Sequence, residues 1–329
     1  MKGILLVNLG TPNSPSQWDV YRYLIEFLTD PKVIDLPWLK RHLLVRGAIV
    51  PARLRQSAAS YAKIWTTEGS PLMVYGRRVE KLLREKLGPL ALVELSMRYQ
   101  NPSIEAGIMR LLSQGAKELL VLPLFPQNAD ATTGSIAQKV SEITRQIASK
   151  VPVRMIPDFA DHPAFIRALS ATPKAQAWRD YDHVLFSYHG LPERQLKKKD
   201  QRCLTKNCCS ANRECYRAQC YATTDALVAQ LQIPRDKYTI CFQSRLGKEP
   251  WLQPYASDAL LKLAQAGHRK VLVFSPSFVC DCLETLYEIQ EEYGIEFRHA
   301  GGCQLDLVPG LNDSPDWVEA LTEILISHS

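Results

Sequence analysis

The residues best suited to chemistry lie in the second half of the chain, and His189 is the first of them. It follows the apolar run VLFSY and precedes a Gly-x-Pro turn, so its imidazole is predicted to project from the carboxyl edge of a sheet. A neutral imidazole nitrogen suits a borderline metal such as Fe(II), or acts as a base near pH 7. A purely structural histidine is the alternative that this position leaves open.

Acidic residues form a second candidate group in SPSFVCDCLETLYEIQEEYG, residues 275–294. This segment predicts a strand, a turn and a helix that ends at Gly294. Asp281, Glu284 and Glu288 recur close to helical spacing, where like charges destabilise a helix unless solvent or a cation screens them. A solvated helix face and a cation-binding ridge therefore both remain open.

Hydroxyl residues form a third candidate group in PLFPQNADATTGSI, residues 123–136. Thr132 and Ser135 lie where a Pro-containing loop passes into a helix, and hydroxyls beside free backbone N–H groups suit a carboxylate or phosphate. Ordinary capping of the helix explains the same residues. The sequence contains neither a Gly-x-Gly-x-x-Gly fingerprint nor a P-loop, so motifs give no support for a nucleotide-dependent enzyme.

Five of the nine cysteines lie within residues 203–220, CLTKNCCSANRECYRAQC. The C-x4-C-C-x5-C-x4-C spacing contains no C-x2-C pair, which structural zinc sites commonly use. An iron–sulfur cluster needs four thiolates and tolerates irregular spacing in a loop. Disulfides are disfavoured in the reducing cytoplasm. We favour a cluster, while a zinc site and free thiols stay open as alternatives.

Length, charge and hydropathy narrow the class of protein. A chain of 329 residues predicts two domains, and the net charge of +6 suits anionic small molecules or a membrane surface but is too diffuse to indicate nucleic acid. The N-terminal apolar run is too short for a signal peptide, and no segment approaches the roughly 18 apolar residues of a membrane span. We expect a cytoplasmic protein, with peripheral contact at the inner membrane left open.

The elements that must position the candidate residues alternate between strand and helix patterns. This alternation predicts an α/β fold of two similar doubly wound, Rossmann-like lobes, each with a four-stranded parallel sheet. The predicted strands are 3–8, 92–98, 118–124 and 152–156 in the first half, and 183–189, 238–243, 270–275 and 296–300 in the second.

An internal similarity supports two related lobes. LLVNLGTP at 5–12 matches LFSYHGLP at 185–192, and GAKELLVLPLF at 115–125 matches GHRKVLVFSPSF at 267–278. Two matches in the same register favour duplication over chance. Because ligands of open α/β sheets bind beyond the carboxyl ends of the strands, both Gly-x-Pro turns are expected to border a cleft between the lobes.

We expect the first lobe to span residues 1–160 and the second residues 161–329. The first includes an apolar lip at about residues 36–65, where Trp, Leu and Ile residues are mixed with basic ones. That lip is interpreted as an amphipathic helix packed on its own domain, or as a surface for a hydrophobic ligand or membrane. The second carries the cysteine-rich insertion, 203–220, and the acidic helix, 280–293.

Taken together, these motifs resemble the ferrochelatases, which insert Fe(II) into a porphyrin in the last step of haem synthesis. The resemblance covers nearly the whole chain, including LLVNLGTP, IWTTEGSPL at 64–72 and FQSRLGKEPWLQP at 242–254. Its most specific parts are SYHGLPER at 187–194 and DCLETL at 281–286. One departure is Asn128-Ala129, where the family usually has Tyr-Ser after Pro-Gln, so this loop is expected to lack that aromatic ring and hydroxyl.

The resemblance implies a chelatase fold and a set of site residues. His189 and Glu284 match the family's catalytic pair, and the substrate Fe²⁺ is expected at these two together with Asp281 and Glu288. Residues expected near the porphyrin are Leu9, Arg98, Tyr99, Thr132, Ser135, Ser187, Tyr188 and Trp251.

Insertion must strip water from Fe(II), bend the macrocycle and remove two pyrrole protons, which an apolar cleft can assist with binding energy. We expect His189 to accept pyrrole protons or present metal, with Glu284 as its paired carboxylate. The expected substrate is protoporphyrin IX, and coproporphyrin is the alternative. A cobalt or nickel sirohydrochlorin chelatase and a non-catalytic tetrapyrrole or iron sensor are the competing classes.

The resemblance also implies a 2Fe–2S cluster in the cysteine-rich insertion, since several ferrochelatases carry one. The expected ligands are Cys203, Cys208, Cys209 and Cys215, with Cys220 in reserve because two vicinal cysteines make awkward joint ligands. Porphyrin and ferrous iron are the expected partners, without nucleic acid, and the expected oligomeric state is a monomer or homodimer.

Overall fold

The structure is a computed structural model that describes residues 1–147, 150–205, 208–247 and 249–328. It divides into two compact units. The first comprises residues 1–125, 129–158 and 321–329, and the second comprises residues 126–128 and 159–320. The end of the chain therefore belongs to the first unit, whereas the sequence assigns it to the second.

The first unit is built on a four-stranded parallel sheet in the order β2-β1-β3-β4. Its strands are β1 (Lys2–Gly10), β2 (Ala91–Tyr99), β3 (Glu118–Pro123) and β4 (Val153–Met155). Leu5 and Leu6 of the central strand β1 are both fully buried although they point to opposite faces. Both faces of this sheet are therefore covered, as in other parallel sheets.

Among the described residues, six α-helices lie wholly within the first unit. They are α1 (Gln17–Leu28), α2 (Trp38–Leu44), α3 (Val50–Ile64), α4 (Pro71–Leu87), α5 (Ile104–Ser113) and α6 (Ser135–Gln146). A π-helical turn, Val45–Ile49, joins α2 to α3, and a second, Asp130–Gly134, precedes α6. The predicted amphipathic helix at 36–65 is therefore one long helical stretch.

The second unit repeats the same topology, with the strand order β6-β5-β7-β8. Its strands are β5 (His183–His189), β6 (Tyr238–Gln243), β7 (Lys270–Phe274) and β8 (Gln304–Leu307). Each sheet thus places its first strand in the centre, its second strand at one edge and its last at the other. The predicted fold of two similar doubly wound α/β lobes is confirmed.

The helices of the second unit cover both faces of this sheet and include one π-helix. They are α7 (Pro163–Ala171), α8 (Pro173–Gln176), α9 (Glu193–Lys199), α10 (Cys208–Ala211), α11 (Tyr216–Leu231), α12 (Ala256–Gln265) and α13 (Gly294–His299). We call Leu283–Tyr293 the acidic π-helix. The last helix, α14 (Pro315–Ser327), runs from residues of the second unit into residues of the first.

Two predictions about the end of the acidic segment are wrong. Gly294 does not end a helix, because it has φ −61° and ψ −40° and the acidic π-helix continues directly into α13. Residues 296–300 consequently form no strand, and Phe297 is buried on the inner face of α13. The eighth strand is instead β8, which pairs with β7 from Lys270↔Gln304 onward.

None of the helices within the described residues combines the length and the apolar character that a bilayer span requires.

Candidate active site at the carboxyl end of strand β5

His189 is the last residue of β5, and its ring is half-buried. Its Nδ1 lies 2.7 Å from the Gly190 carbonyl oxygen. A carbonyl oxygen only accepts hydrogen bonds, so Nδ1 is the donor here, and in the neutral imidazole Nε2 keeps its lone pair. The arrangement therefore presents His189 as a base or metal ligand through Nε2.

The turn after His189 requires a glycine. A Cβ added to Gly190 would lie 2.7 Å from the carbonyl oxygen of Gln243 and 3.1 Å from the Trp251 ring. The close approach allows the Gly190 N–H to donate to that same Gln243 carbonyl at 2.9 Å. The Gly-x-Pro turn thus holds the end of β5 tightly against β6.

Two aromatic rings flank the His189 imidazole. Its ring centroid lies 6.4 Å from that of Trp251 and 6.3 Å from that of Phe278. Trp251 is buried, and its indole N–H has no hydrogen-bond partner among the described residues. The surroundings of His189 are therefore aromatic and apolar, which suits a large ring with few polar atoms.

Tyr216 forms a hydrogen bond to the backbone of His189. It is the first residue of α11, and its hydroxyl donates to the His189 carbonyl oxygen at 2.7 Å. Burial, and then the charge of Cys220, raise the pKa of this phenol well above its usual value. Tyr216 therefore remains a hydrogen-bond donor throughout the physiological pH range, and sequence patterns gave no indication of this role.

Glu288, in the acidic π-helix, accepts four hydrogen bonds from neutral donors. Its Oε1 binds the Ser244 N–H at 2.7 Å and the Tyr293 hydroxyl at 2.9 Å. Its Oε2 binds the Ser244 hydroxyl at 2.6 Å and the Gln243 side-chain amide at 3.1 Å. The predicted role of Glu288 in carrying substrate metal thus competes with a complete set of protein donors.

Asp281 is similarly committed to the protein. Its carboxylate accepts from the Asn312 side-chain amide at 2.7 Å, the Gly310 N–H at 3.1 Å and the Thr285 hydroxyl at 3.2 Å. Glu284 is half-buried on the first turn of the acidic π-helix. The pKa of the Cys282 thiol is raised mainly by burial and secondly by the negative charge of Glu284. Across the described ranges no three His, Cys, Asp or Glu side chains are arranged to hold an ion.

In the first unit, three of the predicted porphyrin residues meet at Asp30. Arg98 donates to Asp30 at 2.5 Å and to the Ser135 hydroxyl at 2.6 Å. The Ser135 and Tyr99 hydroxyls donate to the same Asp30 oxygen at 2.6 Å and 3.0 Å. Tyr99 and Ser135 are almost fully buried, so the geometry makes them supports of Arg98.

The other predicted porphyrin residues differ in what their side chains do. Ser187 is buried and donates to the Gln243 side-chain oxygen at 2.8 Å, while the buried Tyr188 hydroxyl lies 2.8 Å from Thr224 Oγ1. Leu9 is half-buried near the end of β1, and the Thr132 hydroxyl donates to the Ala129 carbonyl at 3.3 Å.

Asn128, where the sequence departs from the family pattern, makes its contact through the backbone. Its N–H donates to Gln219 Oε1 at 2.6 Å.

All nine cysteines are free thiols, and four of the cysteine-rich insertion form two pairs. The Sγ atoms of Cys203 and Cys215 are 3.7 Å apart, and those of Cys208 and Cys209 are 3.9 Å apart. Burial raises the pKa of Cys203 to about 12 and that of Cys209 to about 11. Cys220 is fully buried within α11 and belongs to neither pair.

Comparison with solved structures identifies the fold. SirB from Bacillus subtilis with Fe³⁺ has a TM-score of 0.56 and 13% identity, covering 99% of this chain and 94% of that one. CbiX, described as the terminal enzyme of sirohaem biosynthesis in denitrifying bacteria, has a TM-score of 0.50 and 14% identity, covering 99% of each chain. Similarity at this level of identity supports the chelatase fold alone.

The sequence itself matches the ferrochelatase family model over residues 1–329. The chain belongs to the ferrochelatase family. The ferrochelatase of Pseudomonas fluorescens strain Pf0-1 is 44% identical over 98% of this chain and 96% of its own length. That of Pseudomonas putida strain KT2440 is 43% identical over 98% of this chain and 97% of its own length.

Membership of the ferrochelatase family confirms the predicted enzyme class. The chain is a porphyrin metal chelatase, a lyase of haem biosynthesis that takes Fe²⁺ and a porphyrin as substrates. The motifs SYHGLPER and DCLETL were sufficient for this conclusion. Asp30, Tyr216 and Gln243 were not singled out, although Gln243 lies within the FQSR segment that carries part of the resemblance.

Proposed function

We propose that the chain inserts Fe²⁺ into protoporphyrin IX, with His189 as the acceptor of pyrrole protons. The observation that carries this proposal is the hydrogen bond from Nδ1 to the Gly190 carbonyl, which leaves the Nε2 lone pair free. Each turnover releases two protons as Fe²⁺ replaces them on the pyrrole nitrogens. Nε2 accepts each pyrrole proton in turn and passes it to the paired Glu284 carboxylate, which releases it to solvent before the next transfer.

The aromatic surroundings of His189 support binding of a flat macrocycle. The rings of Trp251 and Phe278 offer apolar surface beside the imidazole. Binding energy from the periphery of the ring can then hold it in a distorted shape that exposes the nitrogen lone pairs.

The decisive experiment replaces His189 by alanine. Anaerobic incubation with Fe²⁺ and protoporphyrin IX, followed through the Soret and Q bands, should show loss of insertion. Porphyrin binding, measured by quenching of intrinsic tryptophan fluorescence, should stay within a few-fold of that of the unchanged protein. Turnover close to that of the unchanged protein would refute the role of His189.

Coproporphyrin is the second candidate substrate, since it differs from protoporphyrin only in side groups at the rim. The bonds of Arg98 to Asp30 and Ser135 use two of the five guanidinium donors, and the others could bind a propionate, a group that both porphyrins carry. Measurement of kcat/KM with both porphyrins under identical anaerobic conditions decides between them. A higher value for coproporphyrin would reverse our assignment.

We further propose that the cysteine-rich insertion holds a 2Fe–2S cluster through Cys203, Cys208, Cys209 and Cys215. Two thiolates on one tetrahedral metal with bonds of about 2.3 Å lie about 3.8 Å apart. The two observed Sγ pairs, at 3.7 Å and 3.9 Å, match that spacing within each pair, although no three of the described cysteines are arranged around one ion. When bound, a cluster of this type supplies one-electron redox chemistry.

Chemical analysis tests the cluster directly. Protein purified without air should be coloured and contain two iron atoms and two acid-labile sulfides per chain, whereas Cys203→Ser should be colourless. Cys220→Ser is the matched control that should retain colour, since Cys220 belongs to neither pair. Colourless protein without labile sulfide, purified anaerobically, would refute the cluster.

Peripheral membrane contact is proposed for the apolar lip. Trp38, Leu39 and Leu43 have exposed fractions of 65%, 60% and 65%, which is unusual for neighbouring large apolar side chains and suits an interfacial helix. Flotation with vesicles that contain anionic lipid should recover the protein, and Trp38→Ser combined with Leu43→Ser should reduce recovery. Light scattering in the same buffer should give a monomer or a homodimer.

A further inference from the structure

Gln243 ends β6 beside the candidate active site. It is the register partner of His189 in the parallel pair β5–β6, and its side chain is 1% exposed. A buried side-chain amide is costly unless both its oxygen and its nitrogen find partners. The partners of Gln243 therefore indicate what this residue holds in place.

The side chain of Gln243 joins three elements of the second unit. Its Oε1 accepts from the Ser187 hydroxyl of β5 at 2.8 Å. Its Nε2 donates to the backbone carbonyl of Glu284 at 2.9 Å and to the Glu288 carboxylate at 3.1 Å, both in the acidic π-helix. Its own carbonyl accepts from the Gly190 N–H at 2.9 Å. One residue thus contacts the turn that follows His189 and the backbone of Glu284.

The residue after Gln243 strengthens this connection. Ser244 has φ +65°, a left-handed conformation that is unfavourable for residues other than glycine. Both its N–H and its hydroxyl bind Glu288, at 2.7 Å and 2.6 Å. Two consecutive residues at the end of β6 therefore bind the acidic π-helix. The two hydrogen bonds from Ser244 to Glu288 offset the cost of its left-handed backbone.

We propose that Gln243 is a positioning residue that sets where Glu284 lies relative to His189. It is buried and its polar atoms are occupied, so it acts through these two residues and does not touch the substrate. This inference rests on the proposed roles of His189 and Glu284. Its physical basis is that a displacement of about 1 Å between reacting groups can lower turnover by about 10²-fold.

The first test is Gln243→Met, which preserves the length of the side chain and removes its hydrogen bonds. We expect kcat for Fe²⁺ insertion to fall by about 10²-fold, while the KM for porphyrin changes less than twofold. The matched control is Thr239→Val, which removes a 2.9 Å hydrogen bond between Thr239 and His183 at the opposite end of the same two strands. The control should lose similar thermal stability and retain its turnover.

If Gln243→Met does not fold, Gln243→Asn gives the answer, because it keeps the amide and shortens its reach by one methylene. A kcat within threefold of the Thr239→Val value for the folded variant would refute the inference. So would an increase in porphyrin KM with an unchanged kcat, because that pattern indicates a role in binding.

A double-mutant cycle separates this inference from the proposed function. In a Glu284→Gln background, Gln243→Met should cause little additional loss, because the group that it positions no longer works. Full additivity of the two losses would refute the positioning role and leave the role of Glu284 intact. Wild-type turnover of Glu284→Gln alone would instead refute the proposed role of Glu284, on which this inference rests.

Discussion

Two carboxylates, one in each unit, are each held by several hydrogen bonds, but the donors differ in charge. Asp30 in the first unit and Glu288 in the second each accept several short hydrogen bonds. Each also accepts from a tyrosine hydroxyl whose pKa is raised by burial first and by the carboxylate charge second, Tyr99 at Asp30 and Tyr293 at Glu288. They differ in the charge of their donors.

Asp30 forms a salt bridge with Arg98, and the exposed fractions of the two side chains are only 3% and 16%. The charges at this site cancel. Glu288 binds only the neutral donors of Gln243, Ser244 and Tyr293 among the hydrogen bonds described, so its negative charge is retained in the acidic π-helix. The first site is therefore a paired charge, whereas the second is a carboxylate held by neutral donors, and the role of Glu288 in binding the substrate Fe²⁺ stays a prediction.

Loss of the Asp30 charge is expected to have the largest effect on stability. Asp30→Asn leaves the Arg98 guanidinium partly buried without a counter-charge, and breaking a buried pair in this way costs about 3–5 kcal/mol. Urea unfolding of the full chain measures the loss. A change below about 1 kcal/mol would remove the distinction between the two sites, since it would mean that the Arg98 charge needs no partner.

Loss of the Glu288 charge is expected to have a smaller effect on stability and a larger effect on metal use. Glu288→Gln preserves size but turns acceptors into donors, which costs about 1–3 kcal/mol. The KM for Fe²⁺ should rise while the KM for porphyrin stays constant. An unchanged Fe²⁺ KM would show that the retained charge of Glu288 has no part in attracting the metal.

The two serine hydroxyls offer a matched pair of smaller perturbations. Ser135 and Ser244 donate to their carboxylates at the same distance, 2.6 Å. Ser135→Ala also deprives Arg98 of an acceptor, so it should cost about 2–3 kcal/mol, against about 1–1.5 kcal/mol for Ser244→Ala. Equal losses of unfolding free energy in parallel urea titrations would show that Arg98 does not depend on Ser135 as an acceptor.

Removal of the buried tyrosine hydroxyls is expected to have the smallest effect, a change in how unfolding free energy depends on alkaline pH. A tyrosine whose pKa is raised on folding contributes stability that is complete below its unfolded pKa of about 10 and declines above it. Unfolding free energies between pH 7 and pH 11 should therefore fall at the alkaline end, and less steeply in Tyr99→Phe and Tyr293→Phe. An unaltered slope in both variants would show that neither phenol is responsible for the decline.

Much of the fold and part of the site were predictable because they depend on local patterns. Seven of the eight strands lie where the apolar runs indicate. His189 was chosen as a site candidate from its place after a buried strand and before a Gly-x-Pro turn, and its role stays a prediction. The exception at residues 296–300 arose because Gly294 adopts a helical conformation, which glycine allows as readily as a helix end.

The sequence by itself therefore determined the two α/β lobes, the family and the catalytic candidates, since strand periodicity and contiguous motifs are read along the chain. Only the tertiary structure decided which polar side chains meet. Asp30 binds Arg98 and Ser135 across 68 and 105 positions, and Gln243 reaches the Glu284 backbone across 41. No periodic pattern specifies such partners, because a buried polar group takes whichever donor or acceptor the packed elements bring within hydrogen-bond distance.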